Sequence, residues 1–152
     1  MDEAVLRSLA KWPNVPDVYG WLGLDRRGNW LLKGERIGNQ ALKEFISRNY
    51  ASDPRGCWYF QNGPQRVFVR LAYAPLVVHL EGEALIDHCG RAFEQTQGFV
   101  DDEGSVLLAG CGSVALLDDR DLAVFSDRAA GFAQIRKSGV PARFHYVGDP
   151  TP

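Results

Sequence analysis

The sequence predicts an α+β fold: mainly antiparallel sheets built from hairpins, two or three short helices, and two structurally repeated lobes. Three observations predict it. Short runs such as RVFVRLAYA (66–74) and RFHYV (143–147) alternate with the two-residue period of half-buried strands. Between such runs lie turn residues, Asp25–Gly28, Asp53–Gly56, Asn62–Gly63 and Asp101–Gly104, in which Asp accepts bonds from turn amides and Gly relieves the steric conflict. Two segments, 2–11 and 39–50, place apolar residues at helical spacing instead.

The elements follow in order. Asp2 is the expected cap of a first helix over 2–11, with Val5, Leu6 and Leu9 on one face. Pro13 and Pro16 then break regular structure, and Trp12, Tyr19 and Trp21 are expected to fold back onto the core. YGWLGL, the turn DRRG and NWLLKGE make the first hairpin. A second helix is capped by Asn39 and buries Leu42, Phe45 and Ile46. CWYFQ and RVFVRLAYA are strands around Asn62-Gly63, where Pro64 is expected to lengthen the loop, and Pro75 implies an edge or a bend before LVVHL. EALIDHC and AFEQTQGFV read as strands divided by Gly90. SVLLAG follows the Asp101 turn, a helix capped by Asp118 buries Leu122 and Phe125, and RFHYV closes the fold as a strand. The 152 residues suit a single domain, 1–152, with lobes 1–80 and 81–152.

Composition excludes several classes. A net charge of -2 argues against a general nucleic-acid binder, which needs a basic face to neutralise phosphates. Cys57, Cys89 and Cys111 are odd in number and widely spaced, so a reducing compartment is the simpler reading than a disulfide framework. The opening MDEAVLRSLAKW has no apolar run, and AYAPLVV is too short to span a bilayer. A soluble, cytoplasmic protein is expected.

DRRGNWLLKG from Asp25 and DDEGSVLLAG from Asp101 share Asp-x-x-Gly-x-x-Leu-Leu-x-Gly, and DPRGCWYFQN from Asp53 shares Asp-x-x-Gly-x-Trp with the first. This is either a structural repeat or independent use of the commonest turn residues. The ordered pattern Asp25-Gly28-Trp30, Gly34-Ile37-Leu42, a helix to Tyr50, Asp53-Gly56, and Val67-Val69 leading to Ala74-Pro75 resembles an uncharacterised bacterial family, domain of unknown function 1285. The match covers about 25–80. WPNVPDVYGWL and FQNGPQRV lie outside that pattern and look like marks of a separate, related set of uncharacterised proteobacterial proteins. The resemblance implies an α+β fold with repeated motifs and a role in signalling or regulation, and it supplies no catalytic residues.

Each candidate site competes with a structural role. His79, Asp87, His88 and Cys89 are ligand-like, but strand alternation would split them between two faces, so no metal site is expected. The cysteines read as small hydrophobes rather than nucleophiles. Asp118, Asp119 and Asp121 read as acids at a helix start. WPNVPDVYGW could line a groove for an extended ligand, although an arm sealing the core is the stronger reading. The preferred binding residues are Gln61, Asn62, Gln65, Arg66 and Arg70, which place directional donors on a constrained hairpin.

These readings favour a non-enzymatic interaction or regulatory module with a protein partner or small ligand and no cofactor. The alternative is a small-molecule or anion-binding sensor using Gln61, Arg66 and Arg70; a small enzyme is third. Strand edges leave a homodimer open.

Overall fold

The computed structural model describes residues 1–152, and the chain divides into two units. The first comprises Met1–Asp25, Asn29–Ala72 and Tyr146–Pro152, and the second Arg26–Gly28 and Tyr73–His145. No helix is long and apolar enough to cross a membrane.

The first unit contains α1 (Glu3–Lys11), β1 (Val18–Leu24), β2 (Trp30–Leu32), β3 (Glu35–Arg36), α2 (Gln40–Arg48), β4 (Tyr50–Ser52), β5 (Trp58–Asn62) and β6 (Gln65–Leu71). Its strands lie in the order β3-β2-β1-β6-β5-β4. Two antiparallel meanders are joined where β1 and β6 run parallel. Parallel neighbours need a long crossover, and the chain through α2 is part of it. Asn39 caps α2 as expected, its side chain accepting from the Leu42 amide at 2.9 Å. The core gathers Leu24, Trp30, Ile46 and Phe60. Trp30 donates its indole N–H to Ser47 Oγ at 3.1 Å and meets Tyr50 edge-on at 5.0 Å.

The second unit contains β7 (Leu76–Glu81), β8 (Ala84–Asp87), β9 (Gln95–Asp101), β10 (Val106–Gly110), β11 (Ser113–Leu117), a 3-10 turn Asp119–Asp121, α3 (Leu122–Ala129), β12 (Ala133–Ile135) and α4 (Val140–Arg143). Its order is β12-β9-β10-β11-β7-β8. Every residue of β10 is buried, which explains why SVLLAG reads as one continuous apolar run. Phe125 of α3 is fully buried, and Asp118 Oδ1 accepts from the Arg120 amide at 3.0 Å to cap the 3-10 turn.

The two sheets share a connectivity. The run β2-β1-β6-β5-β4 matches β8-β7-β11-β10-β9, with the first strand of an opening hairpin parallel to the last strand of the following meander in both. Two repeated lobes are therefore present as topology. The equivalences differ from those suggested by the strings: Asp53 and Asp101 head matching turns, β4 to β5 and β9 to β10, whereas Asp25 joins β1 to β2.

Local turn chemistry recurs beyond the repeat. The amides of Asp25, Asp53, Asp87 and Asp101 donate to the carbonyl four residues on, at 3.0, 2.9, 2.8 and 2.9 Å. The amides of Asn29, Cys57, Arg91 and Ser105 return to the Asp Oδ1 atoms at 2.8, 2.9, 3.0 and 2.8 Å. Gly28, Gly56, Gly90 and Gly104 sit at φ 81°, 85°, 85° and 83°, where a Cβ is strained. One module thus builds four turns, one of them at Asp87, where a strand was expected.

Other expectations also need correction. Asp2 occupies the N-cap position of α1 but makes no side-chain capping bond; its carboxylate takes Arg48 at 3.1 Å instead. Leu6, Trp12, Trp21 and Leu42 are exposed rather than packed into the core. Pro64 does not lengthen its hairpin: Asn62 pairs with Gln65, and Gly63 at φ 56° followed by the fixed φ of proline suits a two-residue type II′ loop. RFHYV is not a strand, because Pro141 starts α4 and His145 turns into the left-handed region at φ 57°. Only Val147 bridges the sheet, beside Cys57.

Candidate functional site

The five preferred residues lie along one hairpin, yet they face three different concavities of the first unit. Gln61 is 1% exposed, and its side-chain amide donates to the Gly63 carbonyl at 2.9 Å, so it holds the turn. Arg66 grips both carboxylate oxygens of Asp17 at 3.2 and 3.3 Å and stacks over Tyr59 and Phe68. Gln65 donates to the Pro16 carbonyl at 3.0 Å. These contacts staple the proline-rich arm to β6, and Gln61 and Arg66 line a cavity of about 460 Å³ beside that arm. Asn62 and Gln65 border a second, apolar groove. Arg70 belongs to a third concavity, with its side chain 74% exposed and 4.0 Å from Asp149.

The apolar groove holds about 390 Å³. Its floor is Leu22, Ile46 and Phe60, all buried, and its walls are Trp21, Leu32 and Leu42, exposed to 49%, 47% and 40%. No charged residue lines it; Asn62 and Gln65 are its polar members. Large apolar side chains converging in this way mark surfaces that meet a partner or ligand. Sequence reasoning missed the groove although the helical period of Leu42 and Ile46 was visible, because periodicity marks an apolar face without saying whether the chain itself covers it.

The second unit has a polar cleft of about 420 Å³ lined by Arg27, His79, His88, Asp118, Arg120 and Asp121. Its charges are committed to one another and to backbone. Arg27 pairs with Asp119 at 2.8 Å, Arg120 with Asp118 at 2.6 Å, and Asp121 accepts from the Leu80 amide at 3.0 Å. Burial works against the charge of Asp118, but the side chain and amide of Arg120 outweigh it and hold the carboxyl below the usual range. Arg27 does the same for Asp119. The histidines are anchored too: His88 Nδ1 accepts from the Val77 amide at 3.2 Å, and His79 Nε2 lies 3.2 Å from Glu81. The arginines and carboxylates of the cleft thus satisfy one another and the backbone.

The cysteines fall in three settings. Cys57 is buried, and burial first, then the charge of Asp53, pushes its thiol up, away from a reactive thiolate. Cys89 is half-buried within the Asp87 turn, and Cys111 is exposed at the β10–β11 hairpin tip.

Residues 1–151 match the family described as "Protein of unknown function (DUF2946)". No curated protein matches the chain. Two solved structures resemble it. A DUF1285 family protein from Silicibacter pomeroyi DSS-3 is 19% identical with a TM-score of 0.55, over 78% of this chain and 74% of that one. A DUF1285 family protein from Shewanella baltica OS155 is 15% identical with a TM-score of 0.53, over 70% of this chain and 90% of that one. At such identities the likeness speaks for the fold alone, and it bears out the resemblance read from the Asp25 to Pro75 pattern.

Proposed function

The chain belongs to the DUF2946 family of proteins of unknown function, and from that premise we propose that it is a non-enzymatic interaction module of bacterial cytoplasmic signalling whose docking surface is the apolar groove beside α2. The observation that carries this reading is the joint exposure of Trp21, Leu32 and Leu42 around one concavity. The occupant it suits is an apolar segment of a partner protein. Groove walls without charge favour uncharged side chains, and Asn62 at the rim offers both a donor and an acceptor to a peptide backbone. The bacterial sources of the two structural neighbours agree with a bacterial setting.

The test is photocrosslinking from position 62, at the rim of the groove, in native lysate, carried out in the wild-type background and in the Leu32→Ser/Leu42→Ser background. The expected result is one discrete adduct whose recovery falls about tenfold or more in the variant while its melting temperature holds, because exposed apolar side chains cost little to replace. Recovery of the same protein at the same yield by both would exclude the groove as the docking surface.

A further inference from the structure

The outer face of the first sheet carries a separate concavity of about 760 Å³. Its floor is made by register. Gly23 of β1 lies opposite Leu31 of β2 and opposite Arg70 of β6, so these three residues form one row on one face. The neighbouring outward position of β1 is Trp21, two residues away and therefore about 7 Å along the strand. Lys33 joins it there, its amide donating to the Trp21 carbonyl at 2.8 Å. The middle of the row has no side chain, and this opens the trough.

Nothing in the backbone requires that glycine. Gly23 lies outside the left-handed region, and a Cβ added there would meet the Arg70 carbonyl oxygen at 3.4 Å and Leu31 Cβ at 3.8 Å. Glycine inside a strand marks a bulge, a tight bend or a close approach, and the irregularity of β1 falls earlier, between Val18 and Leu22. The walls say what approaches. Lys33 places its ammonium 3.8 Å from the Trp21 ring centroid, so that wall is apolar and positive together. Arg70 is 74% exposed, and its contact with Asp149 is at the 4.0 Å limit. No carboxylate lines the trough. Arg55 and Arg66, by contrast, are held at 3.1 and 3.2 Å by Asp53 and Asp17.

From this geometry we infer that the trough over Gly23 binds a small organic anion, with its apolar body against Leu31 and Trp21 and its anionic group held by the Arg70 guanidinium and the Lys33 ammonium. A guanidinium meets a carboxylate or sulfonate through two parallel N–H bonds, which fixes orientation as well as charge. The site does not depend on the protein-docking groove, although Trp21 and Leu22 border both.

The full chain, labelled with nitrogen-15, is titrated with 1-naphthoate, with 2-naphthalenemethanol and inorganic phosphate as separate arms. Naphthoate is expected to shift the amides of residues 21–24, 31–34 and 70–72 saturably. The neutral alcohol and free phosphate are expected to bind about tenfold or more weakly, since each lacks one of the two contacts. Arg70→Gln and Lys33→Gln should each weaken naphthoate about tenfold with the rest of the spectrum unchanged. Gly23→Ala should block it by filling the floor; if that variant does not fold, the two charge variants decide. Shifts confined to Leu32 and Leu42, equal binding of the alcohol, or undiminished binding by Arg70→Gln would overturn the proposal.

Discussion

Single residues in this protein are constrained most where space or hydrogen bonding has no slack. Gly28 combines both limits: it sits at φ 81°, and a Cβ there would lie 2.7 Å from His88 Cβ. Gly28→Ala is expected to destabilise by about 2–4 kcal/mol from strain and overlap together. Chemical denaturation measures this, and a variant within 0.5 kcal/mol of wild type, about the level of an ordinary surface change, would refute it. Tyr146 shows the opposite case. It is 5% exposed, and its hydroxyl has no hydrogen-bond partner. Tyr146→Phe removes an unsatisfied buried hydroxyl, so stability should hold or rise by about 1 kcal/mol, where a buried tyrosine with a bonded hydroxyl would lose a similar amount. A loss of that size would show that the hydroxyl is bonded in solution.

At the scale of elements, the Asp-x-x-Gly turn is the unit of construction. Asp101 is 5% exposed, and its Oδ1 accepts from the Glu103 and Ser105 amides at 2.9 and 2.8 Å while Oδ2 accepts from the Tyr73 hydroxyl at 2.7 Å. Asp101→Ala strands three donors and should cost about 3 kcal/mol or more; Asn39→Ala, which removes one exposed helix cap, should cost about 1 kcal/mol. Urea midpoints of the two variants check the ordering, and an Asp101 variant no worse than the Asn39 variant would mean that the turn is not what holds the β9–β10 hairpin. These elements were readable where chemistry is local: Asn39 as a cap, Asp25, Asp53 and Asp101 as turns, and both long helices. The Asp87 turn was missed because DHCG sits between two apolar runs that suit strands. RFHYV misled because its alternation outweighed Pro141, four positions before its centre. The groove and trough were unreadable for a different reason. Each depends on which of two apolar or charged neighbours the rest of the chain leaves uncovered, and that is settled by cross-strand register, as the Leu31–Gly23–Arg70 row illustrates.

For the whole molecule, stability should fall at both ends of the pH scale, and different residues set each limb. On the acid side, burial works against the charges of Asp53 and Asp118. The Cys57 amide with Arg55, and the side chain and amide of Arg120, outweigh it and hold both carboxyls below their ordinary 3.8. A carboxyl depressed in the folded state binds fewer protons there than in the unfolded chain. Its contribution is therefore complete above the unfolded value and is lost as pH falls below about 4 through the folded one. Asp53 belongs to the first unit and Asp118 to the second, so acid lability is expected in both. On the alkaline side, burial pushes the Tyr146 phenol above its ordinary 10.0. The folded state keeps that proton while the unfolded chain releases it, so stability declines as pH rises past about 10. Unfolding free energies measured from pH 2.5 to 11 should thus form a plateau with two falling edges. Asp53→Asn and Asp118→Asn should each flatten the acid edge by removing a group that binds more protons unfolded than folded, and Tyr146→Phe should flatten only the alkaline one. An acid edge of the same slope in the Asp53→Asn/Asp118→Asn double variant would place acid sensitivity in other carboxylates, and the two Asp–Arg turns would then be structural without being the source of the pH response.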